Sequence, residues 1–351
     1  MERQFYYDLA ASGRRIPIAT HLVLHERPDP EAVLFDGKRL AEVTAEAARR
    51  FGSPLALPVM DLTIEKDFML RAMGVPAAET AAYHFEASPS AGQKAALEAA
   101  DVPDHPRIAA CCEAIRVLSG SGDLVPVGMC IGPFSLLTKL LRNPIVPIYL
   151  SGAGTDPEDS EDVALLIELA GLCERVVRAS CAAQIDAGAR AIFVCEPAAN
   201  IVFFSPNQLE AGSDVFDRLV IGPNLRLREL LRERGTDLLF HDCGELTVGM
   251  IESFAALDPA ILSLGSTVKL PEIARYVPET TVLYGNLPTK KFYSDEDVPL
   301  DAIPAMVSEL EDALRSTGRR FIIGSECDVL AMPGYERTIM EKVNAFCGRG
   351  A

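Results

Sequence analysis

The chain has 351 residues, 49% hydrophobic and 24% charged, with a formal net charge of −17. That mixture is ordinary for a globular protein, and the acidic excess disfavours a phosphate backbone, so nucleic acid is not an expected partner. No apolar run has the length of a membrane span, the first eight residues lack the basic-then-apolar order of a secretory leader, and nine cysteines in an odd, scattered set do not suggest a disulfide framework. A cytoplasmic protein with reduced thiols and no membrane partner is expected.

Residues 1–50 read as an N-terminal helical cap, with a turn signal at Arg27-Pro-Asp-Pro30 and helical composition over Ala41–Phe51. Eight short apolar runs follow: Leu55–Met60, Thr80–Phe85, Val125–Ile131, Ala191–Cys195, Leu238–His241, Ile261–Leu264, Thr281–Tyr284 and Arg320–Ile323. They are continuous rather than alternating, as strands covered on both faces should be. Helical spacing occupies the intervals, most clearly in Val163–Gln184, Leu225–Arg234 and Ile303–Leu314, while Ser151–Asp162 reads as an exposed loop. The alternation predicts an α/β fold, a (β/α)8 TIM barrel over about residues 55–345 within a single domain, with the N-terminal extension in front. An open doubly wound sheet is the alternative.

Chemistry in a barrel sits where the strands end. The first run is followed by Asp61, the third by Gly132-Pro-Phe-Ser135, the fourth by Glu196, the fifth by His241-Asp-Cys243, the seventh by Gly285-Asn286 and the eighth by Gly324-Ser-Glu326-Cys327. His241 and Cys243 are two apart on an extended segment, so both side chains point the same way. With Cys327 at the same mouth they form an N, S, S set that suits zinc, and three ligands with an open fourth position mark a catalytic site. Taken singly, each cysteine could equally be a buried small apolar residue.

Further readings attach to the neighbouring segments. Asp61, Glu196 and Glu326 are candidate catalytic acids or bases, and Ser135, Ser205, Asn286 and Lys290 candidate substrate contacts. Lys290, with Lys291, could hold an anionic tail or form a solvated face. Ser205, Pro206 and Gln208 have the order of a capping box, and Gly132-Pro133 offers free backbone N–H groups to an anion, or forms a tight turn. Cys111 and Cys112 are expected in the core, and His84 and His105 have no evident partner.

The segments Leu239-Phe-His-Asp-Cys-Gly244, Leu283-Tyr-Gly-Asn286 and Gly324-Ser-Glu-Cys327, with Gly132-Pro-Phe-Ser135 and Phe204-Ser-Pro206, resemble the uroporphyrinogen decarboxylase superfamily. Within it they are most similar to the zinc-dependent methylcobamide:thiol methyltransferases, such as methylcobamide:coenzyme M methyltransferase. The resemblance implies a barrel and a zinc ion that activates a thiol. It also implies a methylated corrinoid as methyl donor, with a thiol such as coenzyme M as acceptor. The cobalamin-binding pattern Asp-x-His-x-x-Gly is missing, so the methylcobamide should arrive on a separate corrinoid-binding carrier protein. The Arg-Gln-Ala-Gly-Arg-Tyr motif of the decarboxylases is also missing, which disfavours a lyase acting on a tetrapyrrole. Cobalamin-independent methionine synthase, a more distant relative, supplies a Glu ligand where this chain has Ser263-Leu-Gly-Ser266. The fourth zinc position therefore stays open among Glu196, Glu326, water and the substrate. A folate acceptor is a further alternative.

Overall fold

A computed structural model describes residues 2–349. Eight strands form one parallel sheet: β1 Arg15–Ile18, β2 Leu55–Ala56, β3 Val125–Ile131, β4 Ala191–Cys195, β5 Asp237–Asp242, β6 Ile261–Leu264, β7 Val282–Leu287 and β8 Phe321–Asp328. Their order is β1-β8-β7-β6-β5-β4-β3-β2. That order follows the chain around a circle and has no point where the winding reverses, so the doubly wound alternative is excluded. The sheet curls into a TIM-barrel-like fold.

The curled sheet is not hydrogen-bonded all the way round, because no ladder joins β1 to β2. The seam is crossed by a side chain instead: the Thr20 hydroxyl donates to the Leu57 carbonyl at 2.6 Å. Inward-facing residues from around the sheet fill the interior, among them Ile16, Ile18, Leu55, Val127, Phe193, Leu239, Ile261, Tyr284 and Ile322. The space left between them is only about 20 Å³, so the interior is a packed core and not a channel. A second, larger core lies between the sheet and the surrounding helices. Among the described residues no helix is long and apolar enough to cross a membrane.

The structure corrects the sequence reading at both ends of the strand count. Thr80–Phe85 is not a strand: turns close at Glu79 and Ala82, and only Phe85 makes an isolated bridge, to Leu141. The first strand instead lies inside the expected helical cap. Arg15-Ile-Pro-Ile18 escapes a strand pattern because Pro17 donates nothing to a ladder, and such a residue is tolerated on an edge strand of this kind. The run Leu55–Met60 shortens to Leu55–Ala56, since Pro58 stops it. The eighth run lengthens to Asp328, so Cys327 lies within β8 rather than after it.

The helices follow their apolar spacing. Glu161–Asp186 buries Leu165, Leu166, Leu169, Leu172, Val176 and Val177, and the Ser160 hydroxyl caps it by accepting from Val163 N at 3.4 Å. Gly222–Glu233 and Ile303–Ser316 match the expected segments. Helix Ile145–Gly152 takes in the first two residues of the expected loop 151–162. Cys112 is buried in helix Pro106–Ser119, and Cys111 is partly buried against the same core.

Candidate metal centre

His241 is the fifth residue of β5 and shares its inward parity with Leu239. Cys243 follows one residue past the strand end, and Cys327 comes from β8. One ligand atom from each lies within 4.8 Å of the others. With Zn–S bonds near 2.3 Å, tetrahedral ligand atoms stand about 3.7 Å apart, so a side-chain adjustment of at most about 1 Å would close them on an ion.

Each member is positioned by its neighbours. The His241 ring is 99% buried, and its Nδ1 lies 2.9 Å from the Ser263 hydroxyl on β6. Its Nε2 is buried with no hydrogen-bond partner. If the Nδ1–H donates to Ser263, Nε2 carries a free lone pair, the tautomer a metal ligand requires. Cys243 can sit where it does because the residue after β6 is Gly265: a Cβ there would meet the Cys243 carbonyl oxygen at 2.6 Å.

The two sulfurs behave as a pair. The Cys243 thiol is pushed well below its usual range, first by a hydrogen bond from the Cys327 thiol, then by His241 and Lys290, against the cost of burial. The same hydrogen bond, together with burial and the Cys243 charge, drives the Cys327 thiol upward. The two thiols are thus driven in opposite directions, so ionising one disfavours ionising the other; a dication between them would let both ionise. An orphaned imidazole nitrogen facing two poised thiols is the donor set of a zinc site, and these residues fit that ion.

Lys290 belongs to this centre electrostatically. Burial opposes its charge, but Cys243, Cys327 and Glu326 outweigh that and hold the ammonium more basic than usual. Glu326 accepts from the Ser266 hydroxyl at 2.6 Å and from the backbone N–H of Lys290 at 3.1 Å. It therefore braces the loop after β7 against the end of β6. Asn286 is buried and donates to the Gly265 and Val268 carbonyls at 2.6 and 2.8 Å, fixing the same strand end. The stretch Ser263–Ser266, which offers no carboxylate ligand, supplies two hydroxyls to the site instead.

The other expected site residues are placed elsewhere. Glu196 is fully buried, and its carboxylate accepts from Phe134 N, Ser135 N and Asn224 Nδ2 at 3.1, 2.8 and 2.9 Å. The free N–H groups expected after Gly132-Pro133 are therefore taken by the chain's own carboxylate. Gly132 is required for this fit, since a Cβ there would meet the Glu196 side chain at 2.0 Å. The Ser135 hydroxyl accepts from Ala198 N at 3.1 Å within the same clasp. Ser205 heads helix Pro206–Glu210 without a side-chain cap, and the expected capping box does not form: Gln208 donates to the Tyr149 carbonyl at 2.8 Å instead. Asp61 pairs with Arg107 at 2.9 Å, away from the three ligands. Asn224, Ser263 and Ser266 were not singled out from the sequence; lone hydroxyls and amides carry no spacing signal that would single them out.

Two comparisons with known proteins add to this geometry. Residues 24–346 match the family model described as uroporphyrinogen decarboxylase (URO-D). A solved structure of a methyltransferase from Methanosarcina mazei is similar over 95% of this chain and 94% of its own, with a TM-score of 0.67 and 18% sequence identity. At that identity the likeness speaks to the fold. No curated protein matches the sequence. With the match extending over nearly the whole barrel, the chain belongs to the uroporphyrinogen decarboxylase family.

Proposed function

We propose that this chain is a zinc-dependent methyltransferase that moves a methyl group from a methylated corrinoid, carried on a partner protein, to a thiol such as coenzyme M. The observation that carries the reading is the convergence of His241, Cys243 and Cys327, with the imidazole Nε2 buried and unpartnered. The similar fold of a protein named as a methyltransferase supports it.

Zinc held by these three residues would bind an incoming thiol as its thiolate, which is the nucleophilic form. Cys243 and Cys327 bring two negative charges and His241 brings none, so the donor set neutralises a dication and leaves the substrate sulfur electron-rich. The Lys290 ammonium, near Cys243 and Cys327, would offset the negative charge that accumulates when a third sulfur joins. Glu326 and Asn286 hold the loop bearing Lys290 and the end of β6 in place around the reacting groups. In the transfer, the thiolate sulfur forms a bond to the methyl carbon and the cobalt–carbon bond breaks. Its electron pair stays on the metal, so Co(III) becomes Co(I).

The test joins metal analysis to spectroscopy. The purified protein should hold close to one zinc per chain, and Cys327→Ser and His241→Ala should each lose most of it. Addition of a thiol to zinc-loaded protein and methylcobalamin, with and without a corrinoid carrier protein, should convert the methyl-Co(III) spectrum to that of Co(I). A folate acceptor and a tetrapyrrole substrate serve as parallel arms and should be silent. Unchanged zinc in both variants, or no demethylation by any thiol in a broad panel, overturns the reading.

A further inference from the structure

A cavity of about 430 Å³ lies beyond the ends of β2 and β3, walled by Phe35, Lys66, His84, His105, Arg107 and Lys139 among others, and it shares no residue with the metal centre. Its carboxylates are already neutralised. Asp61 is paired with Arg107, and Asp67 is held by Arg71, His105 and the Thr80 hydroxyl. Its lysines are not. Lys66 is 93% buried, and among the described residues its ammonium donates only to the Ala81 carbonyl, at 3.0 Å. Among the described residues, Lys139 has no hydrogen-bond or ion-pair partner, and its charge acts on Lys66.

Two ammonium groups on the wall of one recess, neither paired with a carboxylate, repel one another, and the burial of Lys66 adds to the cost. They stand out in a chain with 50 acidic and 33 basic side chains, where a carboxylate could have been placed at little cost. The wall leaves further groups unsatisfied: Arg107 Nε and His105 Nδ1 are buried without partners. One end of the recess is apolar, with Phe35 beneath the Arg107 guanidinium, 5.4 Å from the ring centroid. A volume of this size suits a small organic molecule rather than a bare ion.

We infer that this cavity is a binding site for a small organic oxyanion, its phosphate, sulfonate or carboxylate head held between Lys66 and Lys139 and its apolar part against Phe35. The assignment does not depend on the methyltransferase reading. An anion supplies the counter-charge that the two lysines lack, and each ammonium has N–H donors left to give it.

The experiment is calorimetric titration of the full chain, zinc-free and zinc-loaded, with phenyl phosphate, benzenesulfonate and benzoate, and with benzyl alcohol as the neutral control. Saturable binding of one anion per chain is expected in both metal states, with the three heads ranked by affinity and no binding of the alcohol. Lys139→Met, on a partly exposed position that folding should tolerate, should weaken binding by at least about tenfold, and Lys66→Met likewise where it folds. Lys139→Arg should retain it, and Cys327→Ser should leave it unchanged. No saturable binding by any of the three anions overturns the assignment. So does binding that Lys139→Met leaves intact, or that Cys327→Ser abolishes, which would put the anion at the metal centre.

Discussion

Replacing Glu65 by glutamine removes one ionisable group from the interior and leaves its shape in place. Glu65 lies in helix Ile64–Ala72, is 98% buried, and accepts one hydrogen bond, from the Ser180 hydroxyl at 2.9 Å. Its second oxygen has no partner. Burial pushes its carboxyl from the ordinary 4.5 up to about 7, and the Ser180 bond only partly opposes this. A raised folded-state value means the native chain keeps a proton that the unfolded chain releases. Wild-type stability should therefore fall as pH rises from 4.5 through about 7. The shift amounts to about 3 kcal/mol, present as a penalty above that window and absent below it. Glutamine keeps the acceptor for Ser180 and never ionises. Urea midpoints of the two proteins, measured from pH 4 to 9 with matched m-values, should coincide at the acid end. They should separate as pH rises, with Glu65→Gln the more stable by about 3 kcal/mol. Parallel curves, or a variant less stable at high pH, would refute the burial argument.

Three other substitutions probe the remaining claims. Ser263→Ala should lower zinc affinity by about 10–100-fold, measured by competition with a chelator, while the unfolding midpoint moves little; an unchanged affinity would remove Ser263 from its positioning role. Glu196→Ala strips the acceptor from Phe134 N, Ser135 N and Asn224 and should cost about 3 kcal/mol of stability, yet leave zinc content intact. Gly324→Ala puts a Cβ 2.2 Å from the Tyr284 ring, whose hydroxyl ties β7 to the Ile16 carbonyl of β1. Thermal unfolding should show a loss of about 3 kcal/mol, and a neutral result would mean that the ring can move aside.

The barrel and the convergence of His241, Cys243 and Cys327 were both legible in the sequence, for reasons that can be named. Buried parallel strands such as Ala191–Cys195, an unbroken apolar run, and Ile261–Leu264, interrupted only by Ser263, are read directly, and their bounds follow. His241 and Cys243 are two apart on a strand end, so alternation alone sets them on one side. Arg15–Ile18 was hidden because an edge strand holding a proline and a charged residue has no such run. Thr80–Phe85 was misread because a short apolar stretch looks alike in a strand and in a succession of turns. The destination of Glu196 was equally hidden: that its carboxylate meets the N-terminus of helix Pro133–Thr138 depends on how β3 and β4 are registered, with Ile131 beside Cys195. The carboxylate pattern announced an acid at the mouth, but not that a backbone would claim it.

The order of the sheet has a bearing on biosynthesis. β1 is made first, yet its ladder partner is β8, since Arg15 sits beside Ile323 and β2 offers β1 no backbone bonds. At ordinary elongation rates the ribosome needs roughly 15–60 s to travel between the two. Throughout that interval Ile16 and Ile18, which finish in the barrel interior, have no sheet edge to join. Strands β2 to β7 can pair in sequence as they emerge, each onto the last, but the nascent chain must keep β1 apart until β8 arrives. A barrel joined in this way is completed only by a contact between its first strand and its last, and a chain cut short before β8 carries an unclosed apolar interior that a chaperone would recognise.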